Sequence, residues 1–132
     1  MFILNSRLES DSLFICDLKV SRLSLMNDSN YPWLILVPKR PDVTEIIDLS
    51  FDDQIEVLRE TNMLSKILKE NFSVEKLNIA ALGNIVTQLH IHIIGRFQND
   101  ISFPKPVWGA VPSKPYSEDA AADIIQKIKS LL

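Results

Sequence analysis

The chain carries only two histidines, and both fall in one short stretch, Gln88-Leu89-His90-Ile91-His92-Ile93-Ile94. On an extended strand, side chains alternate faces with a period of two. Gln88, His90 and His92 then share one face, while Leu89, Ile91 and Ile93 share the other and pack on a core. Imidazole titrates near neutrality, so one histidine can act as nucleophile or base while its neighbour donates a proton. A second reading is metal binding. Two imidazoles at i, i+2 supply two ligands, whereas a zinc site takes at least three from the protein. Cys16 or a carboxylate would have to complete the set, and no spacing says which. A third reading makes both histidines polar residues on a solvated sheet face. On these residues alone all three stand open.

The elements that must carry this strand are legible in outline. Residues 13–16 form a short β-prone run, residues 20–26 alternate with imperfect phase, and Asn27-Asp28-Ser29-Asn30 is turn chemistry. Trp33-Leu34-Ile35-Leu36-Val37 is a continuous β-prone run ended by Pro38, so the region reads as an antiparallel hairpin with a long loop. Ser50 suits a helix N-cap, with Asp52 and Asp53 in the first turn. Ile55, Leu58, Met63, Leu64, Ile67 and Leu68 supply an apolar stripe, and the helix should end near Asn71 and lie across a sheet. A strand over residues 77–82, a Gly83-Asn84 turn and a strand over residues 86–94 complete the sheet. Pro104, Pro106, Pro112 and Pro115 forbid regular structure across residues 99–116, although Trp108 within it predicts partial packing. Ser117 then caps a final helix over residues 117–131. Strands with one long helix between them predict an α+β domain with a mostly antiparallel sheet of about five strands.

Composition narrows the function classes. A chain of 132 residues is one domain, able to bury roughly 68% of its unfolded surface without disulfides. With 46% apolar and 23% charged residues it is ordinary globular material. A net charge of -3 argues against broad binding to nucleic acid or to an anionic membrane. A single cysteine, Cys16, excludes an internal disulfide and fits a reducing compartment. No apolar run approaches the ~20 residues of a membrane span. Met1-Phe2-Ile3-Leu4 turns polar at once, without the basic start of a signal peptide. The expectation is a soluble cytoplasmic protein.

The stretch from Gln88 to Ile94 resembles the histidine triad (HIT) motif, His-φ-His-φ-His-φ-φ, with glutamine in the first place. The likeness extends to Leu25-Met26-Asn27-Asp28, to Tyr31-Pro32-Trp33-Leu34-Ile35-Leu36-Val37-Pro38, to residues 77–84 and to Pro106-Val107-Trp108-Gly109, and covers roughly residues 10–110. The pattern is similar to a bacterial HIT subfamily that uses Gln-φ-His-φ-His. The resemblance implies a HIT-like α+β fold, a homodimer and a nucleotide hydrolase or transferase of the diadenosine polyphosphate hydrolase type. It gives His90 the place of the nucleophile that attacks the α-phosphorus of a purine nucleotide and forms a nucleotidyl-histidine. It places His92 where phosphate oxygens are bonded or a proton is moved, and Gln88 where a polar contact is kept without a titrating proton. Asn27 matches a ribose-contacting position and Asn84 a phosphate-side loop; each is equally an ordinary turn residue. The covalent step requires no metal and leaves room for a divalent cation beside a polyphosphate.

This sequence also departs from the family pattern. Trp33 stands where a further histidine is often found, and Ile85 where a Ser or Thr often meets the leaving group. These changes leave a rival reading, a nucleotide-binding module with little or no catalysis. Leu13, Ile15 and Leu25 are candidates for the base pocket or for ordinary core, and Arg96, Lys39, Arg40 and Asp17 for substrate contacts or for plain surface.

Overall fold

The computed structural model describes residues 1–132. The chain runs α1 (Ser6–Asp11), β1 (Ser12–Asp17), β2 (Ser21–Met26), β3 (Trp33–Pro38), a 3-10 turn (Ile46–Asp48), α2 (Phe51–Asn71), β4 (Lys76–Ala80), β5 (Ile91–Arg96) and α3 (Glu118–Leu131). The strands form one sheet in the order β1-β2-β3-β5-β4, antiparallel at every pairing. The α+β architecture, with a five-stranded sheet, one long helix across it and a C-terminal helix, is as expected.

The unbroken apolar run of β3 is explained by its central place: all six of its residues are buried. Leu34 and Leu36 face α2 and join Leu23, Leu25, Ile91 and Ile93 in the main core. Trp33, Ile35 and Val37 face the other way and meet Leu8, Tyr31, Ile94 and Val107 in a second cluster. Ile15 and Leu25 belong to the main core and Leu13 packs against it, so these three residues are structural.

The helix α2 begins where the capping chemistry puts it. Ser50 Oγ accepts from Asp53 N at 3.2 Å, Asp52 and Asp53 occupy the first turn, and Lys69 the last. Its buried face differs from the expected stripe. Val57, Glu60, Thr61, Leu64, Ile67 and Leu68 are inside, while Leu58 and Met63 are exposed. Two polar residues hid the true face. Glu60 is buried because Oε2 accepts from Val20 N at 3.0 Å and Ser21 N at 3.4 Å, tying the β1–β2 turn to the helix. The Thr61 hydroxyl donates back to Val57 O at 2.8 Å.

The strand expected over residues 86–94 is also corrected: β5 starts only at Ile91. A strand needs ladder partners. The last β4 residue, Ala80, lies opposite His92, and β3 pairs with β5 only from Trp33 to Leu36. Pro38 has no N–H to extend that ladder, and Leu89 N turns away to Val43 O at 3.0 Å. Gln88, Leu89 and His90 therefore form a lead-in outside the sheet.

Residues 97–117 carry no helix or strand, yet they are held at both ends. Asp100 accepts from Phe97 N, Ser102 N and Phe103 N and from the Arg96 guanidinium. The turn at residues 27–30 clamps the far end. Asn27 Oδ1 accepts from Tyr116 N, Asp28 Oδ1 from Lys114 N, and Asn30 Nδ2 donates to Pro112 O. No helix is long and apolar enough to cross a membrane.

Candidate active site

His90 sits at the end of the lead-in and His92 on β5, opposite Ile35 of β3 and Ala80 of β4. The rings lie 4.9 Å apart, edge to face. They do not form a solvated ridge: His90 is 6% and His92 4% exposed. Trp33 and Trp108 enclose His92 at 5.6 and 5.1 Å between ring centres, and the tryptophans meet each other at 6.1 Å. Trp108 is thus what anchors the proline-rich loop over the histidine face.

The hydrogen bonds assign both tautomers. His90 Nδ1 lies 2.7 Å from Gln88 O. A carbonyl only accepts, so Nδ1 carries the proton and the lone pair of His90 is at Nε2. Trp33 Nε1 donates to His92 Nδ1 at 3.0 Å. An indole only donates, so Nδ1 of His92 is the unprotonated nitrogen. Burial, chiefly, and the charge of a protonated His90 push His92 down to about 4, with the Leu82 carbonyl pulling weakly the other way. At neutral pH His92 is therefore uncharged, with its proton on Nε2. That Nε2 is buried and makes no well-formed hydrogen bond within the chain.

His90 lines a hollow of about 300 Å³ together with Asn84, Gly83, Thr87, Thr44 and Glu45. A second hollow of about 480 Å³ is lined by Asn27, Asp28, Met26, Arg7, Trp33 and Trp108. Trp33 lines that second hollow and bonds His92, so the aromatic wall separates a histidine side from an Asn27 side. Asn84 is exposed on the first hollow and Asn27 half-buried on the second. Asn27 Oδ1 accepts from Tyr116 N, and its amide NH2 makes no hydrogen bond within the chain and is free to meet a ligand.

Gln88 is placed differently from the expectation that it shares a strand face with the histidines. Its side-chain amide faces the N-terminal segment: Oε1 accepts from Asn5 N at 2.8 Å and Nε2 donates to Ile3 O at 2.9 Å. Both ends of the amide are thus engaged as a tether, and what Gln88 offers the histidines is its backbone carbonyl. Thr87 and Thr44 lining the first hollow and the Trp33–His92 bond were not anticipated. The only signal for Thr87 was its place directly before the motif.

The other candidate contacts prove structural. Arg96 is fully buried, paired with Asp100 and bonded to Asn78 and Ser102, with its guanidinium over the rings of Tyr31 and Phe103. Arg40 pairs with Asp53, Lys39 donates to Leu18 O, and Asp17 pairs with Arg22. Cys16 lies on β1, with β2 and β3 between it and β5. No three His, Cys, Asp or Glu side chains converge as a metal ion would require.

Comparison with known proteins agrees with this fold. The family model described as the HIT domain matches residues 7–99. The chain is similar to a histidine triad protein from Bradyrhizobium japonicum, at 43% identity and a TM-score of 0.95, covering 98% of this chain and 96% of that one. It is likewise similar to a histidine triad protein from Sinorhizobium meliloti, at 42% identity and a TM-score of 0.97, covering 100% and 98%. The Plasmodium falciparum diadenosine triphosphate hydrolase shares the fold at 22% identity and a TM-score of 0.68, covering 96% and 77%. No curated protein matches the chain.

Proposed function

The chain belongs to the histidine triad (HIT) family, and from that membership we propose that it is a nucleotide hydrolase or nucleotidyltransferase acting at the α-phosphate of a purine nucleotide derivative, with His90 as nucleophile. One observation carries the reading: the Nδ1 proton of His90 is held by Gln88 O at 2.7 Å, which leaves the Nε2 lone pair free on a residue that lines a hollow. An imidazole whose Nδ1 proton is held in this way presents Nε2 as the attacking nitrogen. Nε2 attacks the α-phosphorus, an N–P bond forms, and the P–O bond to the leaving group breaks with its electron pair on oxygen. Water or another acceptor then attacks phosphorus, the N–P bond breaks, and the ring nitrogen recovers its lone pair while the acceptor's proton passes to solvent. In this reading the phosphates lie in the His90 hollow beside Asn84. No metal takes part in the covalent step, and a divalent cation accompanies a polyphosphate substrate.

The active unit of this proposal is a homodimer. The edge strand β4 has an unpaired side. It borders an apolar groove lined by Phe51, Ile55, Leu58, Ile79, Ala81 and Ile91, of which Phe51 is 75% exposed. Ala81 lines both this groove and the His90 hollow, so a second copy seated there abuts the site. Self-pairing of an antiparallel edge with an adjoining apolar face gives the two-fold contact most common among oligomers.

A second reading has support of its own. The amide of Gln88, tied to Asn5 and Ile3 and so withheld from the site, favours a nucleotide-binding module with little catalysis. Mass spectrometry after mixing with a diadenosine polyphosphate separates the two. An adenylyl adduct on His90, absent in His90→Ala and in the bulkier His90→Gln, is the expected result for the enzyme. Tight binding without adduct or turnover establishes the module instead.

A further inference from the structure

The Trp33–His92 contact has the geometry of a device rather than of filler. An imidazole in a core is commonly satisfied at both nitrogens. Here one nitrogen is bonded by a donor that cannot accept, and the other is left buried without a partner, 4.9 Å ring to ring from the nucleophile candidate. An unpaired buried donor is destabilising and persists where something outside the resting fold uses it. Trp33 and His92 are diagonal neighbours across the β3–β5 ladder. Trp108 closes the remaining side, so His92 cannot turn to exchange its nitrogens without breaking the indole bond.

We infer that Trp33 is a positioning residue which, by occupying Nδ1, locks His92 as the Nε2–H tautomer and makes it a fixed hydrogen-bond donor to a phosphoryl oxygen at His90, never a proton acceptor. The donor half of this inference rests on the nucleotide reading above; the tautomer half does not. It decides between the two tasks a histidine at this place can have. A neutral imidazole whose only open nitrogen already bears a proton can polarise an oxyanion but cannot take a proton from water or from an incoming hydroxyl. A tryptophan replacing the further histidine common in the family is then a change of duty rather than a loss. It substitutes a permanent, non-titrating donor for a group whose protonation would vary with pH.

The test is nuclear magnetic resonance of the full chain labelled with 15N in histidine. In the free protein, long-range proton–nitrogen correlations of His92 should show a pyridine-type Nδ1 and a pyrrole-type Nε2. The reverse pattern, or a mixture, overturns the lock. Saturation with AMP should move the Nε2 proton downfield, and a proton that stays in place overturns the donor role. If AMP does not bind at all, the nucleotide reading falls and takes the donor role with it, while the free-protein spectrum still decides what Trp33 does. Trp33→Phe keeps an aromatic ring and removes the N–H. Its His92 should show both tautomers, and kcat on a diadenosine polyphosphate should fall in proportion to the remaining Nε2–H fraction, about twofold for an even mixture, with KM little changed, because the transition-state donor is absent in the rest of the population. An unchanged kcat in a variant with mixed tautomers overturns the proposal.

Discussion

At the scale of single residues, two titrating side chains, His92 and Asp100, set the acid side of this protein's behaviour. His92 has its pKa lowered from 6.5 to about 4. Its unfolded form therefore binds a proton that the folded form refuses between those values. Stability is full above pH 6.5 and is lost as pH falls through 4, by a total on the order of 3 kcal/mol. Asp100 governs the next interval. Burial would raise its carboxyl, but the Arg96 guanidinium and three backbone N–H groups outweigh burial and hold it at about 2, so its contribution is present above pH 4 and is lost as pH falls towards 2. Urea midpoints measured from pH 7 to pH 2 should decline in both intervals. His92→Gln should flatten the first decline and leave the second. An equal decline in that variant between pH 6.5 and 4 would mean that His92 is not the group responsible.

At the scale of elements, the close approach of β5 to its neighbours depends on one missing side chain. A Cβ built on Gly95 would lie 2.5 Å from Val74 Cγ2 and 2.7 Å from Pro32 Cγ, and the Gly95 amide donates to Pro32 O at 2.7 Å. Gly95→Ala should lose about 1–3 kcal/mol through overpacking, read as a lowered urea midpoint with an unchanged m-value; a wild-type midpoint would show that this junction has slack. Such contacts were invisible in the sequence, whereas periodic and capping signals were not. Ser50 and Ser117 mark their helix starts because local side chain to backbone bonds decide them. The helix stripe was misread because Glu60 is paired by the distant backbone of Val20 and Ser21, which no local pattern announces. The histidine strand was read too long because apolar alternation continues through Leu89 while ladder partners do not. The spacing of His90 and His92 was legible as chemistry, but their tautomers were not. These follow from Gln88 O, two residues away, and from Trp33, fifty-nine residues away in the chain.

At the scale of the whole molecule, the open edge and the apolar groove lie on the same flank. Sedimentation analysis of the wild-type chain at micromolar concentration should show a dimer, and Ile79→Lys, on an exposed β4 position, should yield a folded monomer. A wild-type chain that sediments as a monomer removes the homodimer from the proposal.

Contacts between distant stretches of the chain hold the segments that flank the histidines. Gln88 bonds Ile3 and Asn5 across 85 and 83 positions of sequence, and the turn at Asn27 holds Tyr116 across 89. Closures of that span form late, because the loop entropy is spent before any contact offsets it. A polypeptide emerging from the ribosome has both histidines, the Gln88 tether and α2 well before Trp108 arrives to wall off His92. A chain cut before residue 108 would thus carry both histidines yet lack the indole that walls off His92.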